Sequence, residues 1–178
     1  MREIAVKPLS FFSRLRASRA TRWAMDIFLV AAIVIGVGAY QSRGHVRGDA
    51  PAFAFAERDG TVVSNAAFAG KPTMLVFWAP WCTVCRAESG NISRVARWVG
   101  DRAHVVSVAS AYDDIADVDK YVVDAGVDYR VVLGGDDGAR AFRVRAYPTV
   151  YFLDDEGRIS GSVVGYTTTA GLLARLLL

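Results

Sequence analysis

The chain has 178 residues, 53% of them hydrophobic, with 21 Lys and Arg against 18 Asp and Glu. That length holds one domain of ordinary size plus an extension, and the apolar content excludes a disordered class. The net charge of +3 is unevenly placed: residues 1–48 hold 8 of the basic and 2 of the acidic side chains, so the remainder is net negative and offers no patch for nucleic acid.

Residues 1–22 form a basic amino terminus carrying six Lys or Arg against Glu3. Residues 23–41 follow as the expected membrane anchor. Trp23 to Tyr40 is a run of 18 residues, near the lower limit for crossing about 30 Å of hydrocarbon, with Asp26 in its first turn and Trp23 and Tyr40 as interfacial brackets. A cleaved signal peptide is the competing expectation, since the uncharged core from Ile27 to Tyr40 is only 14 residues long. Six basic residues before the run against three in the 20 after it predict a cytoplasmic amino terminus and an external domain. In bacterial terms this is a single-pass inner-membrane protein with its domain in the periplasm, where close cysteines are oxidised unless something reduces them.

Residues 42–51, rich in Gly and in small or charged residues, read as a linker, and residues 52–178 as the folded domain. Phe53 to Ala56 and Thr61 to Val63 flank a turn at Asp59-Gly60 and predict a hairpin. Pro72 to Trp78 is an apolar run of strand length, of the kind buried on both faces in an α/β sheet. Ala79-Pro80-Trp81 breaks it, and apolar positions from Val84 to Val99 predict a helix ending at Gly100. A strand is expected at His104 to Ala109, a helix at Ile115 to Ala125, a strand at Tyr129 to Leu133 and a short helix at Asp137 to Phe142. Thr149 to Leu153 and Ile159 to Val164 predict a second hairpin, and Thr168 to Leu178 a closing helix. The acidic stretch Asp113 to Asp119 reads as a solvated helix start.

Cys82 and Cys85 are the chain's only cysteines, and they stand on the strand-to-helix turn. At a helix start, free N–H groups and the helix dipole stabilise a thiolate, the form that attacks disulfides. A structural disulfide closing so short a loop constrains little of the unfolded chain, and two Cys with two distant His do not make a four-ligand zinc site. Arg86 stands where haem attachment would need histidine. Two soft thiolates do suit Cu(I), so a copper-binding thiol protein or chaperone stays open beside redox chemistry.

The segment FWAPWCTVCRAE, residues 77–88, resembles the active-site segment of the thioredoxin superfamily. More narrowly it resembles the membrane-anchored extracytoplasmic branch of TlpA-like proteins, cytochrome c maturation reductases and suppressor-of-copper-sensitivity proteins. A second motif, AYPT at 146–149, supports the resemblance independently. The fold it implies is α/β: a central mixed sheet flanked by helices, with a helix and strand inserted at 113–133, preceded by one transmembrane helix.

The resemblance implies a protein disulfide oxidoreductase that needs no cofactor beyond its cysteines. Cys82, the more exposed sulfur, attacks a partner disulfide, and Cys85 resolves the mixed disulfide. Pro148 is cis and faces the pair, Tyr147 and Thr149 present backbone to the substrate chain, and Trp81 walls the site with Trp78, which reads equally as core. Ordinary thioredoxins carry a buried aspartate where this chain has Val76. That leaves Glu88, placed like a glutamate of the cytochrome c maturation reductases, as the candidate general acid/base, with a surface carboxylate as the other reading. Thr83-Val84 lacks the histidine of strongly oxidising relatives, so a reducing or intermediate poise is expected. The implied partners are extracytoplasmic cysteine-containing proteins and a DsbD- or CcdA-like membrane electron donor.

Overall fold

The computed structural model describes residues 19–41, 46 and 48–177. Most of the basic segment 1–22, His45 and most of the 42–47 stretch lie outside the described residues. Helix α1 (Arg19–Gln41) carries the apolar run and forms a unit separate from the domain. Its described side chains are exposed, Trp23, Ile27, Phe28, Leu29, Val30 and Ile33 among them, while those of residues 19, 20, 34, 35 and 37–41 lie outside the described set. Among the described residues no helix is long and apolar enough to cross a membrane.

In the domain, β4 (Thr73–Trp78) is the central strand, and all six of its residues are buried. Such burial requires apolar side chains on both faces, and the pleat sorts them. Leu75 and Phe77 enter one apolar cluster, while Met74 and Val76 enter another. Parallel to β4 runs β5 (His104–Ala109), in register Thr73↔His104 to Trp78↔Ala109; on its other side β7 (Thr149–Leu153) runs antiparallel, Phe77 facing Thr149. β6 (Arg130–Leu133) pairs parallel with β5, and β8 (Arg158–Val164) pairs antiparallel with β7. The amino-terminal hairpin, β2 (Ala54–Glu57) and β3 (Val62–Ser64), adds to β6 through Ala56↔Leu133. β1 (Gly48–Asp49) pairs with β8, so the sheet begins inside the segment whose composition suggested a linker. The resulting mixed sheet of eight strands has the order β1-β8-β7-β4-β5-β6-β2-β3.

Helices cover both faces. α2 (Thr83–Val99) contributes Ile92, Val95 and Val99, and α5 (Thr169–Leu177) contributes Leu172 and Leu176, to the cluster holding Met74, Val76, Val150 and Phe152. On the other face Phe53, Phe55, Phe68 and Phe142 pack over Leu75, Phe77, Val106, Val108 and Tyr151. α3 (Ile115–Asp124) begins with Asp114 accepting the Ala116 N–H at 2.9 Å, the N-cap that explains the acidic start of this helix. α4 (Gly135–Ala141) starts beside the core so closely that a Cβ on Gly134 would lie 2.3 Å from Val108 Cγ1 and 3.4 Å from Phe55. Gly134→Ala is therefore expected to destabilise the domain by about 1–3 kcal/mol, the usual cost of overpacking. A melting temperature equal to that of the native chain would refute this.

Candidate functional site

The parallel pair β4 and β5 ends at Trp78 and Ala109, and in α/β sheets chemistry gathers beyond such carboxyl ends. Ala79-Pro80-Trp81 turns the chain from β4 into α2, with the Cys82 N–H donating to the Ala79 carbonyl at 3.0 Å. Cys82 is the N-cap of α2, in extended backbone, and its Sγ accepts the N–H of Cys85 at 3.1 Å. The two cysteines form a disulfide across Cα atoms 5.3 Å apart. Both cysteines are buried, Cys82 at 6% exposed slightly less completely than Cys85 at 2%. On reduction, the same N–H and the positive end of the helix dipole favour charge on Cys82.

The antiparallel register of β7 brings its start to the same end of the sheet. Thr149 faces Phe77, which sets the preceding residue, Pro148, beside the end of β4. The Tyr147-Pro148 peptide bond is cis, Pro148 and Thr149 are buried, and the Thr149 hydroxyl donates to the Ala146 carbonyl at 2.7 Å. Tyr147 packs against the cluster that holds Trp78, Cys82, Cys85, Val118 and Tyr121. Trp81 is 67% exposed; its indole N–H donates to the Ala111 carbonyl at 2.9 Å, and its ring meets Tyr147 edge-on at 5.8 Å. Ala111 takes a left-handed backbone (φ 48°), uncommon for a residue with a Cβ, at the point where the chain leaves β5 to receive this bond. Trp78 is core: it is buried and stacks on Tyr121 of the inserted helix at 4.0 Å.

Glu88 is fully buried, which corrects the reading of it as a surface carboxylate. Its Oε1 accepts the backbone N–H of Thr167 at 2.7 Å, and its Oε2 has no hydrogen-bond partner. Burial raises its pKa to about 7 against the opposing pull of the Thr167 N–H. Val76, in the place of the thioredoxin aspartate, is buried in the apolar cluster under α2, so Glu88 is the carboxyl one turn from Cys85.

Sequence reasoning did not single out the loop between β8 and α5. Its Gly165 N–H donates to the Pro148 carbonyl at 2.8 Å, Tyr166 is exposed, and Thr167 is the residue that meets Glu88. The available signal was Asn91, a polar residue three positions after Glu88 on a helix face otherwise given to Ile92, Val95 and Val99. A groove of about 340 Å³ opens beside the pair, bounded by Pro80, Trp81, Arg86, Tyr112 and Tyr121.

Residues 46–162 match the model of the AhpC/TSA family. The thiol:disulfide interchange protein DsbE of Pseudomonas fluorescens biotype C is 26% identical over 156 residues, 81% of this chain and 85% of its own. The thioredoxin-like protein YneN of Bacillus subtilis is 29% identical over 121 residues, 67% of this chain and 71% of its own. Among solved structures, a thiol:disulfide interchange protein of the thioredoxin family from Chlorobium tepidum superposes with a TM-score of 0.64 at 27% identity, covering 74% of this chain and 94% of that one.

Proposed function

The chain belongs to the AhpC/TSA family, and from that footing we propose that it is a membrane-tethered thiol:disulfide oxidoreductase that reduces extracytoplasmic proteins through Cys82 and Cys85. The observation that carries the reading is the disulfide at the N-cap of α2, with the Cys85 N–H on the Cys82 sulfur. A relative named as a thiol:disulfide interchange protein, matched over most of both chains, supports the same chemistry.

The proposed exchange has two steps. The Cys82 thiolate attacks a substrate disulfide, forming a mixed disulfide and releasing one substrate thiolate. Cys85 gives its proton to ionised Glu88, and its thiolate attacks Cys82 Sγ, so the Cys82–Cys85 disulfide forms and the second substrate thiolate leaves. Two electrons pass to the substrate. Tyr147, Pro148 and Thr149 form the ledge along which the substrate chain lies, and Trp81 closes its side.

Returning the disulfide to the dithiol requires two electrons from outside, which a DsbD- or CcdA-like membrane donor supplies in this reading. The anchor is residues 23–41. Its support is the 18-residue run from Trp23 and the row of exposed apolar side chains on α1, which calls for apolar surroundings. The positive charge before it supports a periplasmic domain.

Alkylation of thiols in intact cells tests direction. A reductant fed by a membrane donor is expected to hold Cys82 and Cys85 mainly as free thiols, whereas a fully oxidised pair would reverse the assignment. Equilibration of the purified domain with glutathione should give a potential well below the about −120 mV of a strong oxidant. Tight Cu(I) binding without insulin reduction would favour the copper-binding reading.

A further inference from the structure

Glu88 and Asn91 stand one turn apart on α2, and both reach the same residue of the β8–α5 loop. The Thr167 N–H donates to Glu88 Oε1 at 2.7 Å, and the Thr167 carbonyl accepts from Asn91 Nδ2 at 2.9 Å. Thr167 is thus held by both of its backbone polar groups. The orientation of the Asn91 amide is set by its partners. Nδ2 faces a carbonyl, which can only accept, while Oδ1 receives the guanidinium of Arg94 and the hydroxyl of Thr169, the latter at 3.2 Å. Glu88 is 0% and Asn91 4% exposed, so water does not substitute readily for either bond.

We infer that Asn91 is a positioning residue for Glu88: by holding the Thr167 carbonyl it keeps the Thr167 N–H on Oε1, and so leaves the unpartnered Oε2 as the oxygen that carries the exchangeable proton. The functional meaning rests on the reading of Glu88 as the proton acceptor for Cys85; the clamp itself does not. Two residues upstream, the Gly165 N–H holds the Pro148 carbonyl at 2.8 Å, so the loop that fixes the carboxyl also fixes the substrate ledge.

The charges around Glu88 make its titration legible. Its charge is felt by Tyr121 from α3 and by Tyr129 from the segment before β6. Burial raises the pKa of both phenols, that of Tyr129 to about 12, so neither changes charge near neutrality. From the β8–α5 loop the facing group is the neutral Thr167 N–H. On α2 itself the neighbouring titratable group is Cys85, which does not titrate while disulfide-bonded.

The test uses the oxidised full-length protein, with NMR of labelled glutamate reading the Glu88 carboxyl directly. A backbone N–H on a carboxylate lowers its pKa, so releasing Thr167 is expected to move the midpoint upward by about 0.5 pH unit or more, roughly a threefold change in the ionisation constant. Asn91→Ala and the bulkier Asn91→Leu both remove the donor, and either one that keeps the native near-ultraviolet circular dichroism serves. Thr169→Val leaves the Asn91–Thr167 bond in place and is expected to keep the wild-type midpoint. An unchanged midpoint in the Asn91 variants, or an equal shift in Thr169→Val, overturns the clamp. The pH profile of insulin reduction separates the two proposals. A carboxyl midpoint that moves while the rate profile stays put upholds the clamp and removes Glu88 from the reaction.

Discussion

Cys85→Ser is expected to stop turnover by more than about a thousandfold while leaving the first attack intact, so that the protein accumulates as mixed disulfides with its partners. The asymmetry follows from the helix start. Cys82 sits at the N-cap and keeps the Cys85 backbone N–H on its sulfur whatever side chain follows, so its nucleophilicity survives the change. What is lost is Cys85, the more buried of the two residues, whose thiolate would resolve the mixed disulfide by attacking Cys82 Sγ. Cys82→Ser should lose turnover equally and trap nothing. Identifying the trapped chains would test the proposed substrate class and the proposed electron donor together; trapping by Cys82→Ser instead would exchange the roles of the two cysteines.

Glu88→Gln is expected to act in two ways with opposite signs. In the reductive direction the rate of the native protein should rise through about pH 7 as the carboxyl ionises and becomes able to accept the Cys85 proton, and the variant should be slower by about a hundredfold above that pH with the rise removed. Stability moves the other way. The folded pKa of about 7 lies above the ordinary 4.5, so the carboxyl is neutral in both states at low pH. Stability is then lost as the pH rises from 4.5 to 7, and the loss levels off at about 3 kcal/mol. Glutamine keeps an oxygen for the Thr167 N–H but has no charge to bury. The stability of Glu88→Gln relative to the native chain should therefore improve by about 3 kcal/mol between pH 4 and pH 8, measured by urea denaturation of the oxidised forms. A difference that is flat with pH would mean that the carboxylate is solvated in the folded state.

How much of this was legible in the sequence varies by element for physical reasons. β4 and β5 were readable because a strand buried on both faces must be continuously apolar, and the start of α2 was readable because the Pro-Trp break is followed by apolar residues at three- and four-residue steps. The placement of the cysteines on that turn followed directly. β1 was not readable: Gly48 and Asp49 have no strand preference, and they pair only because Arg158 and Ile159, over a hundred residues later, offer a free edge. Nor was the contact between the hairpin strand β2 and β6, which joins Ala56 to Leu133.

The site shows the same division. Cys82, Cys85, Trp81 and Tyr147-Pro148-Thr149 announced themselves as motifs, whereas the burial of Glu88 did not. Local sequence, with Arg86 before it and Ser89-Gly90 after it, resembles an exposed helix face. What encloses the carboxyl is a loop 79 residues away, whose contribution is a backbone N–H and so is independent of the side chain at Thr167. A group recognised by backbone alone leaves no residue type to read in the loop itself, and only Asn91 on the helix pointed to a polar partner there.

The sheet ends in a strand of two residues on one side, β1, and a strand of three on the other, β3. β1 covers only the Arg158–Ile159 end of β8, so among the described residues no strand lies along the outer side of β8 beyond Ile159. That uncovered side runs to Val164, which pairs with Thr149 next to Pro148. The sheet is therefore closed at the end of β8 far from the cysteine pair and uncovered at the end near it, where an extended backbone has room to pair.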